Sequence, residues 1–119
     1  MSITLPSYML NLKGQVVKEI HCIDKENRIL IDCRRNKKTV AIDPRTNKRG
    51  TINNYIRRQV KDIPIFGFTC TIEVELAQVC VNANERRIES CAFVDKGCYY
   101  TKRFCRLISG LCRHMSIQY

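Results

Sequence analysis

Eight cysteines and two histidines are the residues of this 119-residue chain that first suggest a metal centre or a reactive thiol. Four of the cysteines recur at intervals of seven residues, namely Cys91, Cys98, Cys105 and Cys112. A tetrahedral zinc site usually takes its ligands from two closely spaced pairs, because each pair comes from one tight turn. The chain has no such pair, and helical residues seven apart are separated by about 10 Å along the axis. We therefore interpret Cys105 and Cys112 as small apolar core residues on one face of a helix, not as metal ligands.

The sequence shows no nucleophile paired with a base. His21 and His114 lack neighbours of that kind, and a thiol is reactive only where its surroundings stabilise the thiolate. We predict that the protein is not an enzyme and has no catalytic residue, no bound metal and no small-molecule substrate. The cysteine spacing leaves open one alternative, a metal site assembled from distant residues such as His21, Cys22, Cys33 and Cys80.

The chain is strongly basic. Lys and Arg number 21 against 11 Asp and Glu, a formal net charge of +10, which favours a polyanionic partner and above all nucleic acid. No acidic residue lies between Asp43 and Asp62, so this stretch is expected to contact phosphates without sequence preference. The predicted DNA-contacting residues are Arg45, Lys48, Arg49, Arg57, Arg58 and Lys61, and secondarily Arg86, Arg87, Lys102, Arg103 and Arg106.

Hydrophobic patterns predict a small, mainly antiparallel sheet. Apolar runs within residues 16–33 flank the polar turn DKEN and indicate a hairpin. Residues 38–43 are interpreted as a third, shorter strand, and residues 45–54 as an exposed, flexible basic loop. The stretch YIRRQVKDIPIFGF, residues 55–68, is interpreted as a strand that ends in a Pro-Gly corner. In residues 69–79 apolar and polar side chains alternate, which predicts a half-buried strand with an acidic outer face.

The last part of the chain predicts a second hairpin and then a helix. Residues 80–87 are interpreted as the hairpin turn. From Tyr99 the apolar period becomes 3.6, which indicates an amphipathic helix with one basic face. We therefore predict an α+β fold with two parts. Residues 1–98 form a mainly β, basic nucleic-acid-binding domain, and residues 99–119 form the amphipathic helix.

Location and membrane contact follow from the apolar pattern. The N-terminus lacks a positive start followed by an apolar run, so it does not resemble an export signal. A lipid-binding basic helix usually carries large apolar anchors, and the chain has no Trp. No apolar stretch approaches the roughly 20 residues needed to span a bilayer. We predict a cytoplasmic protein with reduced thiols and no membrane partner.

The order of these features resembles the N-terminal region of the ISL-three family of bacterial insertion-sequence transposases, from about Leu12 to the end of the chain. The resemblance is carried by the segments YIRRQVKDIPIFG, CVNANERRIE and YTKRF. It implies a zinc-finger-like, zinc-ribbon-related DNA-binding segment in a bacterial, nucleoid-associated protein. In that family the segment is followed by a helix-turn-helix and, much later, by an acidic-triad nuclease domain. The C-terminal helix of this chain would be the start of that helix-turn-helix.

Two departures from the family pattern shape the functional hypothesis. Asp43 and Thr46 stand where the family has its first Cys-Pro-x-Cys knuckle, and Cys80 with Glu85 stands near the second pair. Zinc is the metal that the family implies, but its ligands are degenerate here, so we predict no cofactor. The chain ends before the family's catalytic carboxylates. We therefore expect DNA binding by a truncated or domesticated transposase N-terminal domain without transposition activity.

The alternative hypothesis is a protein interaction module. In it the apolar face of the C-terminal helix docks on a partner, and a homodimer is the simplest such assembly. The residues of that face are Phe104, Ile108, Leu111 and Met115.

Overall fold

The computed structural model describes residues 2–3 and 12–114, which fold into one open β-sheet and a C-terminal helix. The predicted α+β class is confirmed. A 3-10 turn at Asp24–Glu26 joins the second and third strands. The elements are β1 (Ser2–Ile3), β2 (Gln15–Ile23), β3 (Arg28–Arg35), β4 (Thr51–Ile65), β5 (Phe68–Asn82), β6 (Glu85–Ile88) and α1 (Lys102–His114).

The sheet is mixed. Its strand order is β1-β2-β3-β5-β4, with β6 paired to β5. In the described residues β3 and β5 run parallel, and the other strand pairs are antiparallel. The hairpin predicted within residues 16–33 is confirmed by β2 and β3, which close at the pair Ile23 and Arg28. The second predicted hairpin is confirmed by β5 and β6, but its turn is shorter than the predicted 80–87. Both strands extend into that range, since Cys80 pairs with Arg86 and Asn82 with Glu85.

Two predictions about the segment before β4 are wrong. Residues 38–43 do not form a strand, and Ile42 makes only one isolated bridge, to Arg49. The chain reverses between these two residues, which leaves no length for a ladder. The predicted loop 45–54 is also shorter than expected, because β4 already begins at Thr51. Thr51 pairs with Cys80, near the C-terminal end of β5. This pairing with β5 outweighs the weak strand propensity of Asn53 and Asn54.

The turn between β4 and β5 confirms the predicted glycine corner. Ile65 pairs with Phe68, so Phe66 and Gly67 form a two-residue connection. Both have positive φ, 48° and 81°, as a type I′ turn requires. Glycine suits this conformation, whereas a Phe there is uncommon. Phe66 is also 97% exposed.

β5 is the central strand, and its edge facing β3 has two strand partners with a gap between them. β3 pairs with residues 69–73, and β6 pairs with residues from 78 onward. The side-chain amide of Gln15 fills the first part of the gap: its Nε2 donates to the carbonyl of Glu75 at 2.9 Å, and its Oε1 accepts from the amide of Glu75 at 3.1 Å. A side chain thus supplies the two main-chain hydrogen bonds that a neighbouring strand would make.

Glu89 fills the second part of the gap. Its Oε1 accepts from the amide of Ala77 at 2.8 Å, and its own amide donates to the Ala77 carbonyl at 3.0 Å. The Arg35 guanidinium donates two hydrogen bonds to the same carboxylate, from Nε to Oε1 at 2.6 Å and from Nη2 to Oε2 at 3.0 Å. The Arg35 side chain is 3% exposed, so this is a buried, bidentate ion pair that joins the end of β3 to the segment after β6.

The core lies on one face of β3, β4 and β5, where Ile31, Val60 and Ile72 are almost fully buried. Two of the cysteines belong to this core. Burial raises the pKa of the Cys33 thiol to about 12 and that of Cys70 to about 11, so both stay protonated. They act as small apolar residues.

The predicted half-buried strand is more buried than its alternation suggests. Thr71 and Ala77 lie on the face that carries Glu73 and Glu75, and both are buried. The two glutamates are only partly exposed. The physical reason is the central position of β5, which has strand neighbours on both sides.

The helix is anchored at its N-terminus. Tyr99 and Thr101 pair with Lys61 along the outer edge of β4, with bonds of 2.8 and 2.9 Å. Thr101 caps the helix, since its hydroxyl oxygen accepts from the amide of Phe104 at 3.2 Å. The same hydroxyl donates to the Asp62 carboxylate at 2.7 Å. This fixes the direction in which α1 leaves the sheet.

Beyond its first turn α1 does not cover the sheet. Leu107, Ile108 and Leu111 are 40%, 43% and 51% exposed. The interpretation of Cys112 as a buried helix residue is wrong, because Cys112 is exposed, whereas Cys105 is partly buried. Met115 lies outside the described residues. In the part of the chain that the structure describes, no helix is long and apolar enough to cross a membrane.

Replacement of Glu89 by Ala should destabilise the protein by about 3 kcal/mol, because it leaves Arg35 as an unpaired buried charge and frees the Ala77 amide. Urea unfolding followed by circular dichroism measures this loss. Glu26→Ala is the matched control, since Glu26 is 60% exposed and pairs with Arg28 at 3.5 Å. It should change stability by less than about 0.5 kcal/mol. Equal losses in the two variants would contradict the role assigned to Glu89.

Candidate nucleic-acid interface

Asp43 organises the basic segment between β3 and β4 into a tight turn. Its carboxylate accepts from the amide of Arg45 at 3.0 Å and from the hydroxyl of Thr46 at 2.8 Å. Its carbonyl accepts from the amide of Asn47, which adopts the left-handed conformation at φ 61°. Side-chain bonds of this kind are typical of Asx turns. The predicted flexible loop is therefore an ordered turn, and Asp43 and Thr46 contact each other directly.

Arg87 fastens this turn to the β5–β6 hairpin. One guanidinium nitrogen lies 2.8 Å from Asp43, and another pairs with Glu85. The approach is also close at Gly50, where an added Cβ would lie 2.1 Å from a methyl carbon of Val79. Asp43 is therefore the centre of a contact between two segments that are far apart in sequence.

This contact brings four predicted DNA-contacting cations to one end of the sheet. Arg45, Lys48 and Arg49 belong to the turn, and Arg86 is next to Arg87 on β6. Adjacent strand residues point to opposite faces, so Arg87 turns toward Asp43 while Arg86 stays in solvent. All four are exposed, and none forms an ion pair with any residue from 12 to 114. We call Arg45, Lys48, Arg49 and Arg86 the basic end.

Electrostatics stabilise the turn. Desolvation acts to raise the pKa of Asp43, but hydrogen bonds from the Arg45 amide, Thr46 and Arg87 outweigh it, and the net pKa lies below the ordinary value. Its carboxylate therefore stays ionised, as the ion pair with Arg87 requires.

The strand cations do not share one surface. Arg57 and Arg58 are adjacent in β4 and point to opposite faces of the sheet. Arg57 pairs with Asp32 on β3 and, at 2.9 Å, with Glu73 on β5. Arg57 is thus held by carboxylates on a face of mixed charge. Lys61 lies on that face and is exposed.

The same ion pairs shift the pKa of Asp32. Desolvation acts to raise it, but the hydrogen bond from Arg57 and the charges of Arg34 and Arg57 lower it overall. Arg34 contacts the same carboxylate at 2.7 Å. The resulting cluster ties β3 to β4 across β5 and leaves Arg57 poorly placed to bind phosphate.

The remaining predicted residues lie near the start of α1. Arg103 pairs with the buried Asp62, with Nε at 2.8 Å from Oδ1. Desolvation acts to raise the pKa of Asp62, yet bonds from Arg103 and Thr101 lower it overall. Lys102 approaches Asp95 only at 3.8 Å, and Arg106 is exposed. Of the eleven predicted cations, Arg57, Arg87 and Arg103 are therefore structural.

Sequence analysis missed one further group of cations. Lys96 lines a cleft together with Arg58 and Lys102, and Arg113 lines a groove with Arg106 that continues along α1. Lys96 lies in an irregular segment between β6 and α1, where periodicity gives no information about position. The sequence contains one signal for this group, which is the positive charge of residues 96–106.

The cysteines and histidines do not converge. Among residues 2–3 and 12–114 no group of three or more His, Cys, Asp or Glu side chains is placed to hold a metal ion. The set left open by the sequence, His21, Cys22, Cys33 and Cys80, is therefore not assembled. Cys105 contacts Cys98, and its pKa is raised by desolvation and by the hydrogen bond with that thiol.

Comparison of the chain with protein-family models, curated proteins and solved structures finds no match. The resemblance to the ISL-three transposases therefore stays a prediction from the three sequence segments that carry it. The site has to be interpreted from its own geometry.

Asp43→Asn should lower stability near neutral pH and have less effect in acid. The folded pKa of Asp43 is depressed, so its contribution is complete above the ordinary value of 3.8 and is lost as the pH falls through the folded value. Urea unfolding of both proteins at about pH 7 and about pH 3 tests this. Both proteins carry every other carboxylate, so the difference isolates Asp43. A stability difference that is the same at both pH values would contradict the assignment.

Proposed function

We propose that the protein binds DNA through the basic end. The observation that carries the proposal is the Asp43–Arg87 contact, because it brings the basic turn to the β5–β6 hairpin. Arg45, Lys48 and Arg49 are exposed on the turn, and Arg86 is exposed on the other face of the adjoining hairpin, at the same end of the sheet. No described acidic residue forms an ion pair with any of the four. With a formal net charge of +10, such a surface attracts the phosphate backbone at long range.

The ordered turn supports this proposal energetically. Flexible cations lose conformational entropy when they bind, whereas Arg45, Lys48 and Arg49 stand on a backbone already fixed by Asp43. Contacts of this type reach phosphates and not base edges, so binding should be largely independent of sequence. The proposed activity is therefore general duplex binding without catalysis.

The resemblance to the ISL-three transposases supports a more specific version. In it the chain is a transposase-like DNA-binding module, bacterial, cytoplasmic and nucleoid-associated. The Asp43–Arg87 ion pair would join the two zinc-ribbon-like knuckles that a zinc ion joins in the family. No metal is then needed for the fold.

A second candidate is an interaction module built on α1. The exposed residues Leu107, Ile108 and Leu111 favour it, because they form an apolar stripe along a helix that leaves the sheet. A second copy of the chain is the simplest occupant of this stripe. The molecular mass on a sizing column should then rise with protein concentration, and Ile108→Ser should abolish the rise. A constant monomer mass would remove this candidate.

The DNA proposal is tested with a fluorescent duplex of arbitrary sequence and fluorescence anisotropy at several salt concentrations. About four phosphate contacts predict that log K falls with log salt with a slope near −3.6. Combined replacement of Arg45, Lys48, Arg49 and Arg86 by Ala should remove most of the affinity and flatten the slope.

The matched control replaces four exposed lysines on or next to β2 and β3, which are Lys13, Lys18, Lys25 and Lys37. It removes the same charge from another part of the surface. If both variants lose affinity equally, net charge alone explains binding and the basic end is not the site. Thermal unfolding of each variant shows that the loss is not caused by misfolding.

A further inference from the structure

A second group of cations lines a cleft between β4 and the segment that joins β6 to α1. The cleft borders the basic end, because Pro44 and Arg87 also line it. The cleft has a volume of about 660 Å³. Arg58, Lys96 and Lys102 line it, as do the apolar side chains of Ile88 and Val94. We call it the cationic cleft.

Arg58 is the residue that the fold does not explain. It lies on the face of β4 that carries Ile56 and Val60, and it is partly buried. Its backbone pairs with Val74 in the β4–β5 ladder, but its guanidinium makes no hydrogen bond or ion pair with any residue that the structure describes. Partial burial of a guanidinium without an anion is unfavourable, so the position suits an anionic ligand.

Two other cations line the same cleft. Lys102 is partly buried and Lys96 is exposed. The charges of Arg58 and Lys102 both favour the Cys91 thiolate, although burial raises the pKa of Cys91 overall. A cleft lined by three cations suits the two negative charges of a phosphate monoester better than the single charge of a carboxylate.

The acidic groups of the cleft do not cancel this charge. Glu89 is already held by Arg35, and Asp95 is 70% exposed and 3.8 Å from Lys102. Arg87, which also lines the cleft, is neutralised by Asp43 and Glu85 and adds little. The net charge offered to a ligand is positive.

Tyr99 gives the site a second chemical feature. It lines the cleft, and 67% of its surface is exposed. The Tyr99 carbonyl accepts a hydrogen bond from the Lys61 amide at 2.8 Å, which holds the main chain in place beside the cleft. An exposed aromatic ring beside a phosphate-binding cluster is typical of sites that stack a base.

We propose that the cationic cleft binds a nucleotide that ends in a phosphate monoester. The phosphate lies between Arg58 and Lys102, with Lys96 nearby, and the base stacks on Tyr99. The ligand is a free mononucleotide or the 5′-phosphate end of a strand, which share this chemistry. The proposal adds a ligand to a protein for which the sequence predicts no small-molecule substrate, and the residues that would hold this ligand differ from those of the neighbouring basic end.

Isothermal titration calorimetry with AMP and adenosine tests the site. AMP should bind at least tenfold more tightly than adenosine. Arg58→Gln should weaken AMP binding at least tenfold, and Lys102→Gln should also weaken it. Lys18→Gln, on β2, should have no effect. Equal binding of AMP and adenosine, or unchanged binding by Arg58→Gln in a protein with wild-type circular dichroism, would overturn the proposal.

Two further comparisons separate the ligand sources and the two sites. In the basic-end variant, a short 5′-phosphorylated oligonucleotide that binds more tightly than both AMP and the same oligonucleotide without its 5′-phosphate identifies the strand end as the ligand. Affinities equal to that of AMP assign the free nucleotide. The basic-end variant should keep AMP binding, and Arg58→Gln should keep duplex binding. Loss of AMP binding in the basic-end variant alone would place the nucleotide outside the cleft and refute the proposal.

Discussion

The fold depends on how the central strand satisfies its edge. β5 has strand partners at both ends of the edge facing β3, and between them Gln15 and Glu89 make the main-chain hydrogen bonds that no strand supplies. Glu89 can do so because Arg35 neutralises it inside the protein. This one buried ion pair therefore holds together the strand that ends at Arg35, the central strand, and the segment that leads toward the helix.

The same few acidic residues decide which cations are available for binding. Asp32, Asp43 and Asp62 each form an ion pair with an arginine, and each pair connects elements that are distant in sequence. The cations that these carboxylates do not hold lie in several places: at the basic end, in the cationic cleft, and on or next to β2 and β3. Net charge alone therefore does not identify a binding surface, and the position of each acidic residue has to be considered with it.

Local patterns in the sequence predicted the two hairpins, the glycine corner and the helix, because each depends on neighbours in the chain. The predicted strand at 38–43 is absent because an apolar run does not show whether another strand lies beside it to pair with. Lys48 and Arg49 were predicted as exposed, and they are. Arg57 is exposed as expected, but it is held by Asp32 and Glu73 from other strands, which spacing alone cannot reveal. Arg58 was predicted to contact DNA, and the cleft around it depends on the irregular segment after β6, which has no periodicity.

The parallel pairing of β3 with β5 has a kinetic consequence. Each hairpin forms from contacts that are near in sequence, within about 1–10 μs. Pairing of Ile31 with Ile72 closes a much longer loop, whose entropy must be lost before any contact is gained. We expect docking of the two hairpins to limit the folding rate. Until then the apolar face of β5 is open to water, and aggregation competes with folding at that stage.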